Sequence, residues 1–415
     1  MSARDTLHLF EGFGIEIEYA IVERAGLDVC PIADRLIETE AGAPLAEIER
    51  GDAAWSNELA LHVVEFKTNG PAASLRGLAA RFQGEVTHAN AQLAGLGARL
   101  MPTGMHPWMD PDTELRLWPH QHGDVYRAFQ RIFDCRGHGW ANLQSVHLNL
   151  PFAGDEEFGR LHAAVRLVLP LLPALAASSP LAEGRLSGAL DTRLVYYARN
   201  AARVPSVGGK VIPEPVFTRD GYEQQILERI YADLAPLDAA GVLRHEWVNS
   251  RGCIARFDRS AIEIRLLDTQ ECPAADLAVA AAVAALVRAL ALEELSASRA
   301  QREVATERLT ALLMRTICDA DDARLDDVPY LRLLGWTRGP CTARDLWRQV
   351  VERCLAGQPG YDEWEAPLGN ILDAGCLARR IRTRLAGDLR RSQVARIYAD
   401  LCRCLETGGL FRARA

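Results

Sequence analysis

The chain has 415 residues, of which 49% are hydrophobic and 25% are charged, which is typical of one large or two ordinary globular domains. Its net charge of −8 argues against a general nucleic-acid-binding protein, because such proteins usually carry a basic face. The N-terminus lacks an apolar stretch of signal-peptide length, and the apolar run at 277–287 is too short to span a bilayer. The ten scattered cysteines show no zinc-ribbon spacing. We therefore expect a cytoplasmic protein with reduced thiols and no membrane partner.

The strands are predicted to cluster in the first 270 residues, with a few helices between them. In chain order, we expect strands over 13–68 around an acidic, helix-compatible insert at 31–50, a helix at 71–98 opened by Pro71, a helix at 124–134 and a strand at 141–152. A long polar and aromatic stretch at 101–124 separates the two helices. Long irregular connections of this kind tend to be functional.

The rest of the chain is predicted to become almost entirely helical from Asp276 onward. In chain order, we expect a helix at 155–178 interrupted by Pro170 and Pro173, a loop at 204–217, a hairpin at 245–270 turning at 258–260, and helices at 276–300, 341–357 and 391–407. Because strands precede residue 270 and helices follow it, the fold class is α+β. We expect a catalytic domain at 1–300 and a helical extension at 301–415 that packs on it or on a partner subunit.

Four strand segments carry polar side chains on one face and apolar side chains on the other, because side chains alternate along a strand. The polar sets are Glu16 and Glu18 in "GIEIEY", Glu58 and Glu65 in "WSNELALHVVEFKTN", Ser145, His147 and Asn149 in "QSVHLNLPF", and Glu263 and Arg265 in "SAIEIRLLD". Glu58 and Glu65 are seven residues apart, so a straight strand would place them on opposite faces. A bulge or a break near His62 would reconcile them.

Each pattern alone is typical of the solvated face of an antiparallel sheet. Together the four segments place carboxylates and an imidazole at strand centres where lysine is nearly absent. Such groups would repel one another or stay unpaired unless a divalent cation bound between them. Oxygen-rich sites with one imidazole suit Mg²⁺ or Mn²⁺. The sequence therefore favours a metal site on one sheet face.

Other chemistries have weaker support. The chain has neither a P-loop nor a dinucleotide-binding glycine motif. Cys135 and His138 could form a nucleophile pair beside Asp134, and a zinc site could be built from three further histidines of the same region, His106, His120 and His122. Packing or substrate contacts within the loop explain these residues more simply.

The segments "GIEIEY", "NELALHVVEF", "SVHLNL" and "AIEIRLLD" follow one another in an order that resembles the glutamate–cysteine ligase (γ-glutamylcysteine synthetase) and carboxylate–amine ligase family, which is related in fold to glutamine synthetase. The resemblance covers residues 13–270. It implies an antiparallel sheet curled into a funnel, with metal ions and ATP in its bowl.

The resemblance also implies a role for each polar residue. Glu16 and Glu18 would bind Mg²⁺ ions that hold the ATP phosphates, Glu58 and Glu65 would be further metal ligands, His147 and Glu263 would complete one metal site, and Arg265 would contact the transferring phosphoryl group. In "LDTRLVYYARNAARVPSVGG", Arg199 is the arginine expected to contact substrate or phosphate, with Arg193 and Arg203 as rivals.

The activity implied is an ATP- and Mg²⁺-dependent ligation through an acyl phosphate, with glutamate as the expected donor and an amine such as cysteine as the acceptor. Small-molecule amino acids and amines would be the partners, and the subunits could form a homodimer. The loops at 104–142 and 204–215 would shape the substrate pocket. Two rival interpretations are a metal-dependent hydrolase that uses the same cluster to activate water, and a non-catalytic binding protein.

Overall fold

The structure is a computed structural model that describes residues 6–413. Its strands are β1 Gly14–Glu23, β2 Glu47–Arg50, β3 Ala53–Asn57, β4 Val63–Thr68, β5 Ala98–Met101, β6 Ser145–Pro151, β7 Leu181–Ala182, β8 Arg185–Leu186, β9 Cys253–Arg256, β10 Ala261–Asp268, β11 Arg324–Leu325 and β12 Cys341–Thr342.

Helices occupy most of the remaining chain. The α-helices are α1 Ala33–Ala41, α2 Leu78–Gly95, α3 Pro111–Glu114, α4 Gly123–Phe133, α5 His138–Ala141, α6 Gly154–Val168, α7 Leu172–Ala176, α8 Thr192–Tyr197, α9 Pro205–Gly208, α10 Arg219–Tyr222, α11 Glu228–Leu234, α12 Pro273–Ala291, α13 Ser298–Arg302, α14 Thr306–Asp319, α15 Val328–Leu333, α16 Ala343–Val350, α17 Tyr361–Ala374, α18 Leu377–Leu385 and α19 Arg391–Thr407. Short 3₁₀ segments lie at Leu169–Leu171, Glu246–Val248 and Ala320–Asp322, and single π-helical turns at Glu223–Leu227 and Val351–Leu355.

One eight-stranded antiparallel sheet organises the first 270 residues. Its order is β2-β3-β4-β1-β6-β10-β9, and β5 pairs with the second half of β1. The long strand β1 is central, because β4 lies along one side of it while β6 and β5 share the other. The large antiparallel sheet and the helices that flank it confirm the predicted α+β class and the helical C-terminal region.

The apolar face of the sheet forms the core. Ile15, Ile17 and Tyr19 of β1 have no exposed surface, and the ring of Tyr19 lies 5.7 Å from that of the buried Phe66 of β4. Helices α2, α6 and α12 pack behind this face and complete the apolar cluster. Because side chains alternate along a strand, the polar residues lie on the opposite face, which is the open side of the sheet.

Two helical stretches, Gly154–Ala176 and Pro273–Ala291, are long and apolar enough to cross a membrane by length and composition. Their most apolar windows are 94% and 83% buried inside the protein, as expected of core helices. The first stretch is interrupted at Leu169–Leu171, where the predicted proline break is confirmed. The second contains the apolar run at 277–287.

Two predicted elements differ from the structure. The helix expected from Pro71 begins at Leu78, because the backbone of Ala72 pairs with that of Phe13 and extends the sheet by one bridge. The single strand expected across Glu58 and Glu65 is a hairpin. Strand β3 ends at Asn57 and β4 begins at Val63. The break near His62 exists, but it reverses the chain and leaves Glu58 in the connection.

A buried ion pair ties the C-terminal helices to the end of β10. Arg380 of α18 and Glu271 have no exposed surface, and Nη1 of Arg380 lies 2.6 Å from Oε1 of Glu271. The same Nη1 donates to the carbonyl of Phe411 at 2.7 Å, and Arg380 Nε donates to the carbonyl of Gly375. The helices beyond 301 therefore pack on the sheet-bearing part of the chain, whereas the division into two domains stays a prediction.

We predict that Arg380→Ala lowers the free energy of unfolding by about 3–5 kcal/mol, because it leaves the Glu271 carboxylate buried without a partner. Urea unfolding followed by circular dichroism measures the change. Arg390→Ala is the matched control, since Arg390 is 81% exposed and pairs with Asp388 at the surface, and it should change the midpoint little. Equal unfolding midpoints for the two variants would contradict this account.

Candidate active site

The register of the sheet brings the predicted carboxylates to His147. On β1, Glu16 lies opposite both Lys67 of β4 and His147 of β6, and Glu18 lies opposite Glu65. Residues directly opposite each other in an antiparallel pair project from the same face. The polar residues of these three strands therefore converge on the open face of the sheet without any loop to position them.

His147 lies at the centre of this cluster. Its Nδ1 is 2.9 Å from Oε2 of Glu16 and 3.8 Å from Oε1 of Glu263, and its Nε2 is 3.9 Å from Oε1 of Glu18. Two sets of potential ligand atoms each lie within 4.8 Å of one another: Glu16, His147 and Glu263, and Glu18, Glu65 and His147. Carboxylate oxygens with one imidazole form a donor set that fits Mg²⁺ or Mn²⁺.

A proton on His147 pairs with the charge of Glu16. Burial by itself would lower the pKa of His147, but the hydrogen bond to Glu16 and the charge of that carboxylate raise it to about 9. Burial likewise opposes ionisation of Glu16, yet pairing with His147 lowers the pKa of this carboxyl to about 2. A divalent cation would replace this proton as the compensating charge, because imidazole must be neutral to bind a metal.

Two further carboxylates crowd the same space. Burial and the charge of Glu16 raise the pKa of Glu65 to about 7, and Ser56 donates a hydrogen bond to it at 2.6 Å. Burial and the charges of Glu18 and Glu65 raise the pKa of Glu58 well above its ordinary value. Glu58 lines the same cavity from the β3–β4 connection but belongs to neither ligand set. Its role as a metal ligand stays a prediction.

Two arginines hold Glu263. Nε of Arg265 lies 2.9 Å from Oε1 of Glu263, and Nη1 of Arg256 lies 3.2 Å from Oε2. Arg265 falls where the pairing of β10 with β6 shifts between Ile264 and Leu267, and such a bulge redirects a side chain. Arg256 was not predicted from the sequence. The signal available was its place in the hairpin strand "CIAR", next to the strand that carries Glu263.

Of the three rival arginines, the cavity contains only Arg193. This side chain is 1% exposed, forms a short ion pair with Asp268, and has one Nη atom without a hydrogen-bond partner among the described residues. Asp268 is held in turn by the backbone N–H of Ser178 at 2.9 Å. Arg199, the predicted choice, is exposed and lies outside the cavity lining. Arg193 is therefore the rival arginine that lines the cavity, and contact with an anion stays a prediction.

The placement of Arg203 has a separate cause. Its guanidinium donates to the backbone carbonyls of Arg131 and Ile132, at 3.1 and 2.7 Å, and so joins its own segment to the C-terminal end of α4. Arg203 is also absent from the residues that line the cavity. Neither Arg199 nor Arg203 is positioned to contact a molecule bound over the cluster.

The cavity over the cluster has a volume of about 560 Å³. Its lining includes five apolar and aromatic side chains from outside the sheet, which we call the aromatic wall: Val125, Tyr126, Phe129, Trp140 and Trp247. Four of these residues come from the 104–142 region, which was predicted to shape a substrate pocket. The 204–215 loop supplies none of the lining residues.

The alternative chemistries considered for the 104–142 region do not fit the geometry. Cys135 is fully buried, and burial raises the pKa of its thiol to about 12, so the thiolate needed for attack is disfavoured. His106 bonds to the carbonyl of Leu27, whereas His120 bonds to Asp34. Among the residues described, these histidines do not gather into a metal-ligand set.

Comparison with known proteins gives three similarities. The model of glutamate-cysteine ligase family 2 matches residues 12–400. An uncharacterized protein of Archaeoglobus fulgidus is 35% identical over 321 residues, which span 74% of this chain and 85% of that protein. A Pseudomonas aeruginosa protein with the provisional name glutamate–cysteine ligase 2 is 28% identical across 94% of this chain and 88% of its own.

The fold has a counterpart among solved structures. Glutamate–cysteine ligase of Francisella tularensis, crystallised with AMP, superimposes with a TM-score of 0.60 at 13% identity, over 95% of this chain and 88% of that one. At this identity the match concerns the fold alone. It agrees with the antiparallel sheet and the helical C-terminal region described above.

We predict that His147→Ala weakens Mn²⁺ binding at least about tenfold, because both ligand sets lose their shared imidazole. Titration of free Mn²⁺ by electron paramagnetic resonance measures the affinity. His88→Ala is the control, since His88 pairs with Glu40 outside both ligand sets. Unchanged Mn²⁺ affinity in a folded His147→Ala protein would remove the cluster as the metal site.

Proposed function

The chain belongs to glutamate-cysteine ligase family 2, and on that premise we propose that it is an ATP- and Mg²⁺-dependent carboxylate–amine ligase. Glutamate is the proposed donor and a primary amine such as cysteine the proposed acceptor. The reaction would proceed through an acyl phosphate. The observation that carries this proposal is the convergence of four carboxylates and His147 with buried arginines on one sheet face.

The distribution of positive charge supports phosphate binding. Lys67, Arg259 and Arg265 line the cavity together with Arg193. A second cavity of about 560 Å³ adjoins the first at the Gly14 end of β1, and both cavities are lined by Lys67 and Arg259. A nucleotide in the second cavity would extend its phosphates past these two cations toward the carboxylate cluster. Cationic groups at this point fit the charge of a triphosphate.

The proposed Mg²⁺ ligands are Glu16, Glu18, Glu65, His147 and Glu263. When bound, the metal neutralises charge on the phosphoryl oxygens and so favours transfer of the phosphoryl group. Its binding would also release the proton that now balances Glu16 on His147. Metal binding and proton release are therefore coupled in this site.

The chemistry then follows from the charges of the protein. A carboxylate oxygen of the donor attacks the γ-phosphorus, and the bond to the bridging oxygen breaks with its electron pair leaving on ADP. Arg265, which lies beside Glu263, would neutralise charge on the transferring group. The amine nitrogen then attacks the acyl carbon, the bond to phosphate breaks, and the amine loses a proton. No covalent bond to the enzyme is needed.

Arg193 would hold the donor. Its free Nη atom lies on a guanidinium fixed by Asp268, so the positive end is oriented before any anion arrives. A fixed, desolvated cation suits a substrate carboxylate that must stay still during phosphoryl transfer. The site is proposed to act on free amino acids and amines in the cytoplasm.

The proposal is tested by phosphate release from Mg·ATP in a matrix of amino-acid donors and amine acceptors, with mass spectrometry of the products. We expect release that depends on a donor–acceptor pair and a product one water lighter than their sum. Phosphate release that needs neither donor nor acceptor would instead support the metal-dependent hydrolase. Absence of both release and nucleotide binding would support the binding protein.

We predict that Arg193→Lys lowers kcat/KM for the donor by about 100-fold, because lysine keeps the charge near Asp268 but loses the second contact. Arg199→Lys is the matched control and should leave kcat/KM unchanged, since Arg199 is exposed outside the cavity. Steady-state kinetics with varied donor give both values. Equal losses in the two variants would show that Arg193 does not contact the donor.

A further inference from the structure

The aromatic wall is the part of the cavity that the proposed ligation does not use. Tyr126, Trp140 and Trp247 are only partly buried, and each presents ring surface to the space above the carboxylate cluster. Cavities that expose aromatic surface beside a few charged groups are typical of sites for organic ligands with an apolar part. The wall therefore indicates that one substrate carries such a part.

The wall is held rigid by its own contacts. The ring centroid of Phe129 lies 5.1 Å from that of Trp140 and 6.1 Å from that of Trp247. Nε1 of Trp140 donates to the carbonyl of Asn200 at 2.9 Å, and the Tyr126 hydroxyl accepts from Asn57 at 2.8 Å. Because the Trp140 N–H is bonded and the Tyr126 oxygen accepts from Asn57, these two side chains offer the cavity mainly ring surface.

Most charged groups of the cavity come from elements other than those of the wall, although Tyr126 lies near Glu58. Glu18, Glu65, His147 and Arg265 project from the sheet, and Arg193 projects from α8. A substrate that spans the cavity would therefore place its reacting polar end over the sheet and its side chain against the wall. The side chain of cysteine is one methylene and one thiol, so it would cover little of this surface.

We propose that the acceptor is a primary amine with an aromatic or bulky apolar side chain, bound against the aromatic wall with its nitrogen over the carboxylate cluster. This inference rests on the proposed ligase function and specifies its second substrate. We place the base of ATP in the adjoining cavity, beyond Lys67 and Arg259. That cavity is lined by the segments at 12–14 and 69–71 and is large enough to hold the base.

The first experiment separates donor activation from acceptor choice. Hydroxylamine, which is too small to need the wall, traps an acyl phosphate as a hydroxamate in the presence of Mg·ATP and each candidate donor. With the donor that reacts, kcat/KM is then measured for 2-phenylethylamine, ethylamine and cysteine. We expect 2-phenylethylamine to exceed ethylamine by about 100-fold, the gain from burying a phenyl group.

The second experiment assigns this preference to the wall. Trp140→Ala should reduce the preference to about tenfold or less. It should leave hydroxamate formation and the KM for ATP unchanged. Trp108→Ala is the matched control, because Trp108 packs against Arg391 outside this cavity and should keep the preference.

Three outcomes would overturn the inference. If hydroxamate forms but cysteine or ethylamine reaches the same kcat/KM as 2-phenylethylamine, the ligase function is retained and the apolar acceptor is rejected. An increased KM for ATP in Trp140→Ala, with acceptor preference unchanged, would show that the wall holds the nucleotide base. Absence of hydroxamate with every donor would reject the ligase itself, and the inference with it.

Discussion

The structure depends on how the charge of several carboxylates is balanced around His147. Burying these groups on one sheet face costs free energy unless a positive charge lies among them. In the protein alone this charge is the imidazolium of His147, which pairs with Glu16, while Arg256 and Arg265 hold Glu263. In the proposed function, a metal ion would take over the role of the proton that pairs with Glu16.

The sheet provides this arrangement because the packing of its apolar face fixes the register of the strands. The apolar face is committed to the core by Ile15, Ile17 and Tyr19, so a one-residue slip would bury carboxylates and expose the core. The bulge in β10 then directs Arg265 to the cluster. The same packing that stabilises the fold therefore holds the polar residues in position.

The division of the cavity follows from the order of the chain. Strands supply the charged floor, whereas α4 and the segments around Trp140 and Trp247 supply the aromatic wall. Arg193 of α8 also lines the cavity and is anchored by Asp268 at the end of β10. Phosphoryl transfer and side-chain selection can thus be carried by separate parts of one cavity, and changes in the wall need not disturb the cluster.

Much of this site could be predicted from the sequence because strand alternation is a local property. The two-residue spacing of Glu16 with Glu18, and of Glu263 with Arg265, places each pair on one face without knowledge of the fold. Glu58 could not be placed, because its position depends on a chain reversal between Asn57 and Val63 that no glycine or proline marks.

Long-range contacts account for what the sequence could not provide. The choice of Arg193 over Arg199 depends on Asp268, which lies 75 residues away in the chain. Arg256 was missed because its partner Glu263 is supplied by the next strand. The aromatic wall is assembled from segments more than 100 residues apart, so its composition is visible in the sequence but its convergence is not.

The central claim is that the cluster directs the γ-phosphate of ATP to a carboxylate and not to water. It is tested by supplying the reactive donor with ¹⁸O in its carboxylate and analysing the released phosphate by mass spectrometry. The account predicts that each phosphate formed carries one ¹⁸O from the donor. Phosphate that carries no ¹⁸O from the donor, and that becomes labelled only when the reaction is run in H₂¹⁸O, would contradict the account.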